Sequence, residues 1–164
     1  MPVSIFVCDA TSATSVQLDL ARNMARKLRT TRHPYILKFL ESAEHQGSVY
    51  IVVERVKPLT CVLQERKAAG KLDPSYYEWI VWGLSQVAEA TAFLNEQAKS
   101  MHGNIHLSTV FQSQAGEWLL GGLETLSSMS EPEPFIMRYG GMPPEANRYA
   151  PPEVVNRGWN TVRD

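Results

Sequence analysis

The sequence predicts an α+β fold, and three observations support this prediction. The 164 residues are 44% hydrophobic and 20% charged, a balance that is typical of a folded globular domain. Short β-branched runs bounded by turn residues predict strands, whereas apolar residues spaced four apart predict helices. The two patterns occur in mixed order along the chain, without an internal repeat.

Charge and cysteine content narrow the class of protein. The 16 basic and 17 acidic residues give a net charge of 16 − 17 = −1, which provides no overall attraction to nucleic acid or anionic membrane, and we expect no DNA partner. Cys8 and Cys61 lie too far apart for a metal motif and suit a reducing compartment. The sequence lacks a signal-peptide pattern and any apolar run long enough for a transmembrane segment. These features predict a cytoplasmic domain.

The first two elements are a strand and an amphipathic helix. The strand covers Val3–Cys8, and the helix starts at about Val16 and ends before Pro34, because proline restricts the residue that precedes it. One face of this helix is apolar. The segment between Leu20 and Leu40 contains no acid and six basic residues: Arg22, Arg26, Lys27, Arg29, Arg32 and Lys38.

A hairpin and a short helix follow. The hairpin strands are predicted at Ile36–Ser42 and Val49–Glu54, because both runs are β-rich and a polar, glycine-containing turn joins them. The short helix is predicted at Leu59–Ala69, with Gly70 at the position where a left-handed residue ends many helices.

The next helix is the longest and the most apolar. Asp73 is a good N-cap and Pro74 suits the first helical position, so we predict a helix that continues over Tyr76–Ala98. Apolar residues occupy most of its circumference, which predicts a buried central helix. Trp79 and Trp82 could form an interface, but the helical apolar pattern favours a place in the core.

The last third of the chain is irregular. A tight hairpin is predicted from Val110–Gln112 and Glu117–Leu120, and the residues from 127 to 152 form a proline-rich loop. The segment Ser100–Met137 contains four acids and no Lys or Arg. The acidic part, Glu131–Glu145, is interpreted either as a docking loop or as a segment without an independent role.

Five motifs follow one another along the chain: Val3–Val7, Leu28–Leu37, His102–Asn104, Gly121–Glu124 and Tyr149–Val154. In this order they resemble the protein-kinase fold, from the third strand of the small lobe to the end of the activation segment. All except His102–Asn104 are similar above all to the Scy-like pseudokinases, in which a kinase-like domain precedes HEAT repeats. The resemblance implies an incomplete protein-kinase-like fold, with residues 1–57 as a partial small lobe and residues 58–164 as a partial large lobe.

The resemblance places an unsuitable residue at each catalytic position. Phosphoryl transfer needs a Lys on the phosphates, a Glu that holds this Lys, an Asp near the hydroxyl group, and an Asn and an Asp on magnesium. In this order, the five positions hold Phe6, Met24, Asn104, Thr109 and Gly122, which predicts a protein without kinase activity. Glu124 is acidic but lies two residues after the last of these positions, and we do not assign it as a metal ligand.

The resemblance also defines a vestigial nucleotide pocket and a stack of packing residues. Val53 corresponds to the gatekeeper and Glu54–Val56 to the hinge, and Phe6 either seals the pocket or is only an inward strand residue. We expect no cofactor and no ATP binding. The pocket residues are Ser4, Val53, Glu54, Val56 and Phe111. The packing spine consists of Leu28, Phe39, His102 and Leu123.

The resemblance implies a scaffold or adaptor. Members of the family act in COPI-linked Golgi–ER vesicle traffic and in nuclear tRNA export. The expected partners are proteins of the coat or nuclear-export machinery, with tRNA as a further candidate, and the expected location is cytoplasmic and peripheral at the Golgi or the nuclear pore.

Alternative functions remain open at the level of sequence. One is an unorthodox, weakly active kinase that uses Glu124 and Lys57. Another is RNA binding through the basic helix face, whose simpler interpretation is a solvated surface. A metal site at His102 and His106 lacks a third ligand, so structural roles are preferred. The candidate RNA contacts are Arg22, Arg26, Lys27, Arg29 and Arg32.

The resemblance further implies missing parts of the fold. Because the chain opens on the third small-lobe strand, we expect an unprotected sheet edge. Glu153 should lack its arginine partner, and the long helix should expose an apolar patch. We therefore expect the isolated chain to be marginally stable or prone to aggregation.

Overall fold

The computed structural model describes residues 2–70, 73–132 and 134, and it confirms the α+β prediction. Strands and helices alternate irregularly along the chain, and three short helical turns lie at Phe93–Gln97, Leu107–Thr109 and Leu123–Thr125. The main elements are β1 (Val3–Cys8), α1 (Ser15–Thr30), β2 (Phe39–His45), β3 (Ser48–Glu54), β4 (Val56–Pro58), α2 (Leu59–Ala68), α3 (Pro74–Ala92), β5 (Ser100–Met101), β6 (Val110–Ser113), β7 (Trp118–Leu120) and β8 (Ser127–Ser128).

The first sheet is antiparallel, with strand order β1-β3-β2. The β2–β3 hairpin turns at Gln46 and Gly47, which both have positive φ, as a two-residue hairpin turn requires. Side chains alternate along β1, so that Val3, Ile5 and Val7 are exposed on its outer face. Within the described residues β1 has one strand neighbour, and its other edge is open.

The helix α1 covers the inner face of this sheet. It begins in a capping box, in which the Gln17 backbone N–H donates to Thr14 Oγ1 at 3.3 Å and the Gln17 side chain accepts from the Thr14 N–H at 2.8 Å. The buried residues of the helix include Ala25 and Leu28, and its neighbours include β2, β3 and the helical turn Leu123–Thr125. This turn belongs to the second half of the chain.

The second sheet, of strand order β4-β6-β7, connects the two halves of the chain. The Leu37 N–H donates to the Leu120 carbonyl at 3.0 Å, and the Leu120 N–H donates to the Tyr35 carbonyl at 2.8 Å. Tyr35 and Leu37 therefore bond to β7 on either side of Ile36, and β2 begins at Phe39 rather than at Ile36. The predicted start of the hairpin was wrong for this reason.

The helix α3 is buried on one face only. Its N-cap Asp73 accepts from the Tyr76 N–H at 3.1 Å, as predicted, and its inner face packs on β7. Trp79 packs edge to face on Trp118 at a centroid distance of 5.0 Å. The opposite face exposes large apolar side chains, which confirms the predicted apolar patch on this helix. Trp82 is 48% exposed, so the predictions of a buried helix and a core Trp82 were wrong. The exposed members are Tyr77, Val81, Trp82 and Leu84.

A single core unites the described residues. It contains Leu28 and Val53 from the first half and Leu94 and Leu120 from the second half. None of the described helices is both long and apolar enough to cross a membrane. The boundary at residue 57 stays a prediction, since β4 itself begins at Val56 and ends at Pro58. The Tyr149–Val154 motif, Glu153 and most of the Glu131–Glu145 segment lie outside the described residues.

Candidate functional site

Phe6 lies at the position that the resemblance gives to the phosphate-binding lysine. Its side chain points inward from β1 and is half-buried against the apolar core. Its ring meets the ring of Phe111 edge to face, with centroids 5.3 Å apart. Because Phe111 lies on β6, this contact joins the sheet of the first half to that of the second half. The position supplies packing, but neither charge nor a hydrogen-bond donor.

The hinge segment is bonded within the protein. The Val56 N–H donates to Ser4 Oγ at 3.0 Å, and the Ser4 hydroxyl lies 3.3 Å from the Val56 carbonyl oxygen, to which it can donate. The Glu54 N–H donates to the Lys38 carbonyl, and the Glu54 carboxylate accepts from the Lys38 N–H. Val53, at the gatekeeper position, is fully buried. The base of a nucleotide bound at this hinge would have to displace the Ser4 hydroxyl from both the N–H and the carbonyl of Val56.

Asn104, at the position that the resemblance gives to the catalytic aspartate, is a structural cross-link. It is buried, and its amide Nδ2 donates to Glu124 Oε1 at 2.8 Å. Its backbone carbonyl accepts from Thr109 Oγ1 at 3.0 Å, and its N–H donates to His102 Nδ1 at 3.2 Å. These bonds hold the loop together, and a neutral amide cannot accept a proton from a substrate hydroxyl.

Glu124 is held between the catalytic loop and α1. Burial raises the pKa of its carboxyl group, whereas the hydrogen bond from Asn104 and the nearby His106 act in the opposite direction. Its backbone carbonyl accepts from Asn23 Nδ2 at 2.7 Å. Asn23 therefore ties α1 to this segment. The sequence signal that could have identified Asn23 is a polar residue among the apolar positions of an amphipathic helix.

Thr109 and Gly122, which the resemblance assigns to the two metal positions, pack directly against each other. Gly122 has a φ of +74°, and a Cβ atom at this residue would lie 2.6 Å from Thr109 Cγ2 and 2.8 Å from Thr109 Cβ. A carboxylate side chain at residue 122 would collide with a stiff, β-branched neighbour. These residues do not fit a magnesium ion, and no group of three His, Cys, Asp or Glu side chains elsewhere in the described chain could hold a metal.

The remaining predicted residues occupy distinct places. Met24 is half-buried against the core. The two groups proposed for an unorthodox kinase have different partners: Lys57 forms a surface ion pair with Glu65 of α2, whereas Glu124 accepts a hydrogen bond from Asn104. His102 Nε2 lies 2.7 Å from the Gly121 carbonyl oxygen. The four residues assigned to the packing spine are all buried: Leu28, Phe39, His102 and Leu123.

The basic residues of α1 and the following loop do not form one free surface. Arg22 bonds to Asp19 and Glu44, and Arg29 donates to Ser42 Oγ at 3.0 Å. Lys27 is half-buried. The two remaining residues also have partners within the protein: Arg26 bonds to the side chain of Asn23, and Arg32 to the Phe39 carbonyl.

Comparisons with known proteins identify kinase-like relatives, although the sequence matches no family model. A protein of Dictyostelium discoideum named probable inactive serine/threonine-protein kinase scy1 is 33% identical over 162 residues, which cover 98% of this chain and 18% of that protein. A mouse protein named protein-associating with the carboxyl-terminal domain of ezrin is 32% identical over 120 residues, which cover 73% of this chain and 15% of that protein.

A solved structure, that of Cex1p, has a similar fold. It superposes with a TM-score of 0.64 and 25% identity, and the match covers 88% of this chain and 25% of that one. The chain thus spans between about a seventh and a quarter of the proteins that it matches here. From these similarities and the kinase-like order of its elements, the chain belongs to the Scy-like pseudokinase family.

Proposed function

We propose that this chain acts as a catalytically inactive, kinase-like binding module, a scaffold or adaptor in COPI-linked Golgi–ER vesicle traffic or in nuclear tRNA export. The observation that carries the proposal is the packing of Thr109 against Gly122. It leaves no space for a carboxylate at the metal-binding position. A kinase cannot neutralise the charge of the transferred phosphoryl group without its metal ions.

The names of the relatives support the same class of function. The Dictyostelium relative is named a probable inactive kinase, and the mouse relative is named for its association with a domain of another protein. Inactivity together with protein association is the behaviour of a binding module. The choice between vesicle traffic and tRNA export rests on the family alone.

We further propose that the chain does not bind ATP. The edge-to-face contact of Phe6 with Phe111 supports this, because it fills the region where a lysine would meet the phosphates. The bonds between Ser4 and Val56 support it as well, because they satisfy the hinge groups within the protein. ATP binding would break these contacts, and without a lysine at residue 6 the charge of the phosphates would not be compensated there.

A thermal-shift titration with ATP and magnesium tests this part of the proposal. We expect the melting temperature of the chain to stay constant, with and without magnesium, because ligands stabilise only the proteins that they bind. Phosphate transfer from radiolabelled ATP is measured in parallel. A magnesium-dependent shift together with phosphate transfer would favour the unorthodox kinase instead.

The partner class is tested by direct binding with purified components. The full chain is immobilised and exposed separately to purified coat subunits, to nuclear-export proteins and to tRNA. Saturable binding of one of the two protein classes is expected, and it would assign the pathway. Binding of tRNA alone, or of none of the three, would contradict the scaffold proposal.

A further inference from the structure

A groove of about 480 Å³ lies between α1 and β2, and it shares no residue with the degenerate catalytic positions. We call it the arginine groove. Its volume falls within the range of roughly 300–1,000 Å³ that is usual for ligand sites. Its walls are formed by Arg22, Arg26 and Arg29 of α1 and by Ser42, Ala43 and Glu44 of β2.

The three arginines lie on one face of α1, because they are spaced by four and three residues. Arg22 is fully compensated: its Nε and Nη2 donate to the two Glu44 carboxylate oxygens at 3.1 and 3.2 Å, and its Nη1 lies 3.2 Å from Asp19. These contacts raise the pKa of Arg22, chiefly through Glu44. Both acids that line the groove are thereby engaged by one arginine.

Arg26 and Arg29 bond only to neutral groups within the part of the chain that the structure describes. Arg26 Nη2 lies 3.3 Å from the side-chain oxygen of Asn23. Arg29 donates to Ser42 Oγ, and its guanidinium lies over the Phe39 ring at 5.4 Å. The groove therefore presents two positive charges without a carboxylate partner, which a bound anion could satisfy.

The lining between the arginines is apolar and made of small side chains. Ala25 and Val49, which form its floor, are 8% and 2% exposed. Ser42 and Glu44 bond to arginines of α1, so the Ala43 side chain between them lies on the opposite face of the sheet. The small side chains leave the volume of the groove free. β2 is an edge strand of its sheet in the described chain, so an extended segment can lie along it.

We propose that the arginine groove binds an extended acidic peptide of a partner protein. Its carboxylates contact Arg26 and Arg29, and an aliphatic side chain between them packs on the floor formed by Ala25 and Val49. This proposal rests on the proposed function as a binding module and names the chemistry of the partner. RNA fits less well, because the residues that line the groove include no aromatic side chain on which a base could stack.

Fluorescence anisotropy with a defined peptide pool tests the proposal on the full chain. The probe is a fluorescein-labelled pool of decapeptides in which Asp or Glu alternates with Val, Leu or Ile. A matched pool carries Asn or Gln in place of the acids. We expect the acidic pool to bind about tenfold or more tightly than the neutral pool, as charge-assisted hydrogen bonds predict.

Matched variants locate the binding site. Arg26→Gln and Lys27→Gln remove the same charge from α1, but Lys27 does not line the groove. We expect Arg26→Gln to weaken binding of the acidic pool about tenfold and Lys27→Gln to leave it within about twofold. Ser42→Trp fills the groove without a change of charge and should abolish binding, because the Ser42 side chain faces Arg29 of α1. Circular dichroism verifies that each variant is folded.

Several results would overturn the proposal. They are equal binding of the two pools, equal losses from Arg26→Gln and Lys27→Gln, and unchanged binding by Ser42→Trp. A single-stranded RNA that binds more tightly than the acidic pool and is weakened equally by both charge variants would assign the surface to RNA. Magnesium-dependent ATP binding would contradict only the proposal that the chain is inactive and binds no ATP, and not the proposal for the arginine groove. The two proposals can therefore fail independently.

Discussion

At the scale of single residues, Gly122 and Thr109 are adapted to each other. Gly122, at the position that the resemblance gives to a metal-binding aspartate, has no side chain, and Thr109 occupies the space that such a side chain would need. A carboxylate introduced at residue 122 alone would therefore create a collision before it could create a metal site. The two residues form a single packing arrangement.

Substitution of Gly122 by alanine should be costly for two separable reasons. One is the positive φ of +74°, and the other is the 2.6 Å approach of the new Cβ to Thr109 Cγ2. Gly70 has a similar φ of +65°, and a Cβ atom added there would meet no atom within 4 Å, so Gly70→Ala reports the backbone cost alone. We expect losses of about 1 kcal/mol for Gly70→Ala and about 3 kcal/mol for Gly122→Ala in urea unfolding. Equal losses would contradict the packing argument.

Glu124 should make the stability of the chain depend on pH. Burial raises the pKa of its carboxyl group in the folded state. The folded protein therefore keeps a proton at pH values where the unfolded chain has released it. The resulting stabilisation is complete below the unfolded pKa of about 4.5 and is lost as the pH rises through the folded pKa.

The variant Glu124→Gln tests this dependence, because glutamine keeps an oxygen that can accept from Asn104 Nδ2. We expect Glu124→Gln to be more stable than the unmodified chain at pH 8, with a difference that shrinks towards pH 4. His33, whose pKa is lowered by burial, changes stability in the opposite direction, but its contribution cancels because both proteins contain it. Melting curves over this pH range that differ by a constant amount would contradict the prediction.

At the scale of elements, local signals predicted more than long-range ones did. The N-terminus of α1 and the Asp73 cap of α3 follow from residues that are close in sequence, and both were confirmed. The start of β2 was wrong, because Tyr35 and Leu37 bond to Leu120, which lies more than eighty residues later in the chain. A sequence pattern does not reveal such a competing partner.

The same distinction explains the two tryptophans of α3. Trp79 and Trp82 share one apolar helix, and only the position of Trp118 on β7 decides which of them is covered. Periodicity identifies the faces of a helix but not the face that meets the core. In the site, the substituted positions stay a prediction from motif order, whereas the contact of Ser4 with Val56, 52 residues apart, required the fold.

The bond from Asn23 to Glu124 should hold α1 against the second half of the chain. We expect Asn23→Ala to cost about 1–3 kcal/mol in urea unfolding, because a buried carbonyl loses its donor. Asn23→Asp has nearly the same shape but faces the Glu124 carbonyl with an oxygen, so it should cost more than Asn23→Ala. Unchanged stability of Asn23→Asp would show that the bond does not matter for the position of α1.

At the scale of the whole molecule, the two predicted lobes share one structure. The second sheet includes β4 from the end of the first half and β6 and β7 from the second half. The backbone bonds of Leu37 and Leu120 and the contact of Phe6 with Phe111 cross the same boundary. The apolar core is continuous through both halves. Neither half can unfold without exposing part of the core of the other.

We therefore expect one cooperative unfolding transition. Tryptophan fluorescence reports on the second half through Trp79 and Trp118, whereas the reactivity of the half-buried Cys8 thiol reports on β1 once Cys61, which is exposed, is replaced by serine. Both probes should give the same urea midpoint. Reaction of Cys8 at clearly lower urea, before the fluorescence changes, would mean that the first half unfolds independently, and the contacts across the boundary would then contribute little to stability.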